Sequence, residues 1–259
     1  MFYQVEPLLP GLTRIWDVAH TAIYLVEGTE KAALIDTGVG VGDLKTVVED
    51  LTNKPVTVLI THGHVDHAMG AAGFSDVRMS SLDEGVYGEH CNFEARKGYV
   101  MGSAMQGGDP ELTTRITADD FLKPRDFGEF APLAHGDRFD LGGVTVEVLP
   151  GAGHTPGSLT MLMPEWRGLL LGDACNPFTF LFDHWAAPVA CYREMLLKLK
   201  ELTDGRYDRV LLSHGWGESA VDIIDNVIAV CDEVLAGGGD NLPCGEYRYI
   251  PYGMQTLFL

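Results

Sequence analysis

Basic residues are scarce in this sequence, cysteines are unpaired, and no apolar run is long enough to cross a membrane. Only 18 Lys and Arg stand against 37 Asp and Glu in 259 residues, a formal net charge of 18 − 37 = −19. Surfaces that grip nucleic acid gather basic side chains to neutralise phosphates, so no nucleic-acid partner is expected. A membrane helix needs roughly 18 or more consecutive apolar residues, and no run here approaches that; Gly168-Leu169-Leu170-Leu171-Gly172 suits one buried strand. No membrane partner is expected either. The opening residues, Met1-Phe2-Tyr3-Gln4-Val5-Glu6-Pro7, lack the basic and apolar regions of a secretory signal. The five cysteines (Cys91, Cys175, Cys191, Cys231, Cys244) are odd in number, scattered and without a CxxC pair, which reads as reduced thiols. A cytoplasmic protein is the expectation.

What is present is an ordinary folding composition, 46% apolar and 21% charged, with no low-complexity segment, repeat or Ser/Pro-rich linker. One domain over 1–259 is expected. Strand-like runs cover Ala22–Val26, Ala32–Ile35 and Val56–Ile60, with a helix from about Gly42 to Leu51 between the last two. A second group of strands is predicted over 144–149, 159–163, 168–171 and 209–212. The spacing predicts helices over Val189–Leu202 and Glu218–Ala236. Between about 85 and 133, glycines, charges and the aromatics Tyr87, Phe93, Tyr99, Phe121, Phe127 and Phe130 follow no steady period. A segment of that length reads as a lid-like insertion.

The chemistry lies in the histidines. Thr61-His62-Gly63-His64-Val65-Asp66-His67 follows the Val56–Ile60 strand directly, and three imidazoles with one carboxylate in six residues suit a divalent cation. His154 follows the 144–149 strand, Asp173 follows Leu169-Leu170-Leu171-Gly172, and His214 follows Val210-Leu211-Leu212-Ser213. Four strand ends thus supply five His and two Asp, the complement of two adjacent metal sites.

The His-x-His-x-Asp-His run with its downstream His, Asp and His, preceded by Asp36-Thr37-Gly38, resembles the metallo-β-lactamase superfamily from about Tyr24 to Gly215. The resemblance implies an α/β fold: an αββα sandwich of two mixed sheets with helices on the outer faces. It implies that His62, His64 and His154 hold one metal, that Asp66, His67 and His214 hold a second, and that Asp173 bridges them. Asp36 would orient a ligand imidazole. The cofactor implied is two Zn2+, with Mn2+ or Fe as alternatives. A hydroxide shared by two such ions, about 3.5–4 Å apart, would attack an electrophilic carbonyl or phosphorus. Asp66 would relay the proton, and Asp66 and Asp173 are the catalytic carboxylates.

Within that superfamily, Asp173 looks like the glyoxalase II, lactonase and ribonuclease Z branches rather than the true β-lactamases. The charge of −19 opposes tRNA. The tail after Ala236 has a single basic residue, which opposes glutathione, and Asn176 stands where quorum-signal lactonases carry tyrosine. The loop Asn176-Pro177-Phe178-Thr179-Phe180-Leu181-Phe182-Asp183-His184-Trp185 is expected to supply an apolar wall from Phe178, Phe180, Phe182 and Trp185, with Asn176 and His184 as polar contacts. The same aromatics packing as core is the alternative. The partner is therefore a small molecule, an ester, thioester or lactone. The alternative chemistry is that of the persulfide dioxygenases, which resemble this pattern but hold one iron through two histidines and the aspartate. Tyr247–Leu259, rich in aromatics, is expected to pack on the chain's own core or to form a homodimer contact.

Overall fold

The computed structural model describes residues 2–105, 111, 114–181, 184–238, 242–244, 247–252 and 255–258. The chain divides into two compact units, residues 1–133 with 138–146, and residues 134–137 with 147–259.

The first unit is built on a seven-stranded sheet whose order in space follows the chain: β1 (Gln4–Leu9), β2 (Leu12–Trp16), β3 (Ala22–Glu27), β4 (Ala32–Ile35), β5 (Val56–Leu59), β6 (Asp76–Met79) and β7 (Ala131–Pro132). β1 to β4 pair antiparallel, and β4 to β7 run parallel. β3 and β4 are apolar almost without interruption because they are buried along their length. The hairpin β1–β2 was not predicted, since Glu6, Pro7 and Arg14 break the apolar alternation there. Those residues instead pair across the strands, with Arg14 donating to Glu6. Leu25, Leu34, Val58 and Ile60 share a core with Leu44 and Val48 from the helix Leu44–Leu51. That helix begins two residues inside the predicted boundary, where the Asp43 carboxylate accepts from the Thr46 N–H.

Residues 85–133 contain more regular structure than their sequence suggests. Helices Glu84–His90 and Phe93–Met105 are followed by short 3-10 turns at Ala118–Asp120 and Phe127–Glu129.

The second sheet runs from the hairpin strands β8 (Arg138–Asp140) and β9 (Thr145–Pro150) through β10 (Leu159–Met163) and β11 (Gly168–Leu170) to β13 (Arg209–Leu211) and β14 (Glu218–Ser219). β10 is antiparallel to both β9 and β11, and β11 is parallel to β13. The carboxyl ends of β9, β11 and β13 therefore share one edge of the sheet. The helix Val189–Thr203 buries Tyr192, Leu196, Leu199 and Thr203, a stripe at helical spacing, against Val227 and Cys231 of the helix Ile223–Leu235. That second helix starts later than the predicted Glu218, because Glu218–Ser219 is used to pair with β13. A third sheet places β12 (Phe178–Phe180) beside the tail strands β17 (Gln255–Phe258), β16 (Tyr247–Tyr252) and β15 (Leu242–Cys244). The tail thus pairs its backbone with the chain's own β12. Among the described residues, no helix is long and apolar enough to cross a membrane.

Candidate metal centre

In the first unit the ligand turn leaves the carboxyl end of β5, next to Asp36 at the end of its parallel neighbour β4. Asp36 is buried at φ 64°, a backbone region that costs a non-glycine residue about 1–3 kcal/mol. Its carboxylate accepts from the Thr61 N–H at 2.7 Å, the Thr61 hydroxyl at 2.8 Å and His67 Nδ1 at 2.8 Å. A carboxylate only accepts, so the His67 proton sits on Nδ1 and the Nε2 lone pair is left for a cation.

The same reasoning runs through Thr61. Its hydroxyl proton is committed to Asp36, so His62 Nδ1, 3.1 Å away, donates to Thr61 and leaves its own Nε2 as an acceptor. That Nε2 faces His64 Nδ1 at 3.2 Å, with both rings buried. Two imidazole nitrogens bound to one tetrahedral zinc at about 2.0–2.1 Å would lie about 3.3 Å apart. The pair has the spacing of two ligands, so the residues fit a metal. Asp66 is also buried. One of its oxygens lies 3.5 Å from His67 Nε2 and accepts from the Tyr99 hydroxyl at 2.6 Å and the Thr21 hydroxyl at 3.2 Å.

The turn is held from below. The Gly63 N–H donates to the buried Asp83 carboxylate at 2.8 Å. A Cβ at Gly63 would meet the Tyr87 nitrogen at 3.0 Å and the Asp83 carbonyl oxygen at 3.1 Å, so a side chain there would press the turn away from this backbone by a few tenths of an ångström. His90, from the end of the helix Glu84–His90, lies against the His64 ring with centroids 4.6 Å apart. His20 stacks on Trp16 instead.

The second unit carries the remaining three predicted ligands on one sheet edge. His154 Nδ1 lies 2.8 Å from the Phe180 carbonyl oxygen. A carbonyl accepts only, so Nδ1 is protonated and Nε2 offers its lone pair. That nitrogen is 3.7 Å from an Asp173 oxygen, and His214 Nε2 is 3.2 Å from the same oxygen. One carboxylate oxygen therefore stands between two imidazoles, the arrangement a shared ligand requires. Gly153 allows the His154 turn to form, because a Cβ there would strike the Tyr192 ring at 2.4 Å.

The family model described as the metallo-beta-lactamase superfamily matches residues 16–214 of the chain and so spans both candidate ligand sets. The chain belongs to the metallo-β-lactamase superfamily. Among superfamily relatives, uncharacterised protein ML0493 of Mycobacterium leprae is 31% identical over 231 residues, 87% of this chain and 88% of its own. Acyl-coenzyme A thioesterase MBLAC2 of Homo sapiens is 24% identical over 205 residues, 74% of this chain and 72% of its own. A solved metallo-β-lactamase from Pontibacter korlensis has a TM-score of 0.62 at 18% identity, covering 89% of this chain and 99% of that one. The two mixed sheets with their helices are the α/β fold of that superfamily.

The predicted substrate loop divides. Phe178 and Phe180 are exposed on alternate positions of β12 (57% and 38%) while Thr179 between them is buried. Asn176 does not face outward: it is buried, and its side-chain oxygen accepts from the Phe178 N–H at 2.8 Å, which shapes the loop. The exposed His184 rests on half-buried Trp185 with ring centroids 4.9 Å apart. Phe182 lies outside the described residues. Cys175, two residues past Asp173, is fully buried, and burial pushes its thiol far above the usual range, so it is a packing residue rather than a nucleophile.

Four residues had no assigned role at the sequence level. Thr61, Asp83 and Tyr99 brace the first ligand set. Trp216 follows His214 by two residues in a turn closed by the Gly217 N–H to the His214 carbonyl, and its side chain is 91% exposed. Tyr99 and Asp83 are separated from the turn they brace by intervening elements, so no local spacing reveals them.

Proposed function

We propose that this chain is a divalent-metal-dependent hydrolase acting on small thioesters and related esters or lactones with an apolar acyl part. The observation that carries the reading is the donor arrangement. Hydrogen bonds to Asp36, Thr61 and the Phe180 carbonyl each fix a histidine proton on Nδ1, turning the Nε2 atoms of His67, His62 and His154 into ligands. His62, His64, Asp66, His67, His154, Asp173 and His214 would hold two zinc ions, with manganese or iron as substitutes. Bound there, such ions supply an activated water near neutral pH and polarise the substrate carbonyl. The protein's own part is to hold these donors fixed, with Asp66 placed to take a proton under the Tyr99 and Thr21 hydroxyls. Phe178, Phe180 and Trp216 offer exposed aromatic surface on the loops that carry or bond His154 and His214, suited to an acyl chain.

Support for a thioester comes from the thioesterase relative. The net charge of −19 argues against a polyphosphate carrier at low salt, so a neutral carrier is the better match. The test is zinc-reconstituted protein assayed for thiol release from acyl-N-acetylcysteamine and acyl-coenzyme A esters, beside lactone and carboxylic ester panels. Thiol release abolished by chelator and restored by zinc supports the reading. One iron per chain with oxygen consumption on persulfides, and no hydrolysis, overturns it.

A further inference from the structure

The insertion between β6 and β7 reaches the ligand turn through one side chain. Tyr99 lies on the helix Phe93–Met105, half-buried, and its hydroxyl donates to Asp66 at 2.6 Å, closer than the Thr21 hydroxyl at 3.2 Å. The helix is fixed at that depth by Arg96, one turn earlier. Arg96 is 1% exposed, and its guanidinium donates to the carbonyls of Val39, Gly40 and Leu122 rather than to any carboxylate. Burial lowers its pKa, and the Phe121 ring lies against the guanidinium at 5.2 Å. The Val39 and Gly40 carbonyls lie on the loop that follows Asp36. One helix turn therefore clamps the loop behind one bracing carboxylate and bonds a second carboxylate directly.

We propose that Tyr99 is a positioning residue that holds Asp66 for its metal, so that metal binding and the order of the helix Phe93–Met105 stabilise each other. This rests on the metal-centre reading above. The physical basis is that a hydrogen bond to a ligating carboxylate fixes its orientation, and that loss of such a partner weakens metal binding about 10–100-fold. Coupling is reciprocal: a helix that holds the ligand is itself held when the ligand is occupied.

Tyr99→Phe keeps the ring and its packing and removes only the hydroxyl. Tyr87→Phe is the matched control, because the Tyr87 hydroxyl lies in the same insertion but donates to the Arg125 carbonyl at 2.7 Å, away from the ligands. Zinc affinity is measured on all three proteins by chelator competition, and amide exchange over residues 93–105 is followed with and without zinc. The expected result has two parts. One of two zinc equivalents is weakened at least about tenfold in Tyr99→Phe and unchanged in Tyr87→Phe. Zinc also slows exchange in the helix of the wild type but not of Tyr99→Phe. Equal zinc affinities in Tyr99→Phe and wild type overturn the proposal while leaving the metal centre intact. A wild type that binds no zinc overturns both.

Discussion

The two sets of ligands are held by different means. In the first unit four candidate ligands are packed into the six residues from His62 to His67, and beside the adjacent Thr61 they are braced by distant side chains: Asp36 across the neighbouring strand, Asp83 beneath Gly63, Thr21 and Tyr99 on Asp66. In the second unit three ligands sit on three separate turns, and the sheet does the spacing. β9, β11 and β13 point the same way, so His154, Asp173 and His214 emerge at one edge, and His154 is braced by the Phe180 backbone carbonyl. A contiguous motif has few neighbours of its own to hold its side chains, here Thr61 on His62, and recruits remote ones for the rest. A dispersed motif inherits its geometry from strand order. The first set should therefore be sensitive to remote substitutions, and the second to changes in the ligands themselves.

Asp173 offers the largest effect. It is the carboxylate whose one oxygen both His154 and His214 approach. Asp173→Ala should lose nearly all turnover and at least one metal ion per chain, read by elemental analysis beside steady-state kinetics. Near-normal turnover in that variant would end the two-metal reading and remove the second set from the chemistry.

Asp36 tests the first set from outside it. Asparagine tolerates a positive φ and keeps the shape, but its NH2 group cannot accept, so either the Thr61 N–H on one side or the Thr61 hydroxyl and His67 on the other faces a donor instead of an oxygen. Asp36→Asn should weaken zinc binding about 10–100-fold while leaving the fold intact. Chelator competition and circular dichroism check the two halves of that statement. A zinc affinity equal to wild type would show that the contiguous turn holds itself, and the contrast drawn above would fail.

These contrasts also explain what could be read from the sequence. The strands Ala32–Ile35 and Val56–Leu59 were legible because buried parallel strands are apolar throughout, and the candidate ligands stood out jointly because three His and one Asp fall within the six residues His62–His67 while His154, Asp173 and His214 each follow a strand. The hairpin β1–β2 was hidden by its charges, and the helix Phe93–Met105 by Gly98, Gly102 and a buried Arg96 that break its apolar face. Bracing residues are set by tertiary distance, so Asp83 and Tyr99 leave no local pattern. The part Asn176 plays in its loop is set by the folded structure in the same way. A polar residue in an aromatic loop reads as a substrate contact, yet its oxygen closes the turn that exposes Phe178.

A smaller effect is expected at Trp216. A 91% exposed indole beside a ligand makes little contribution to the fold, so its removal should leave metal content and stability unchanged. If it meets the acyl chain, Trp216→Ala should raise KM several-fold for long acyl thioesters and hardly at all for acetyl, with kcat retained. The comparison of chain lengths isolates contact from chemistry. Uniform kinetics across the series would leave the second unit's loops with a purely ligand-holding part.

Asp17 should have the least effect on turnover, and it tests the kind of brace rather than its strength. Its buried carboxylate accepts from the N–H groups of Ala19, Thr21 and Val39, which ties Thr21, one of the donors to Asp66, to the loop after Asp36. Burial pushes its pKa up to about 6 from 3.8, against the pull of those N–H donors. A carboxyl group whose pKa is higher folded than unfolded binds more protons in the native state. Its contribution to stability is complete below about pH 4 and lost as pH rises through about 6, about 3 kcal/mol in all at 1.36 kcal/mol per pH unit. Asp17→Asn cannot ionise, so urea midpoints at pH 4, 6 and 8 should show wild type losing stability relative to the variant as pH rises. Parallel curves would mean that the carboxyl group titrates normally. A difference that grows with pH would show that the first unit's bracing depends on protonation, whereas the Phe180 carbonyl that braces His154 has no charge to lose.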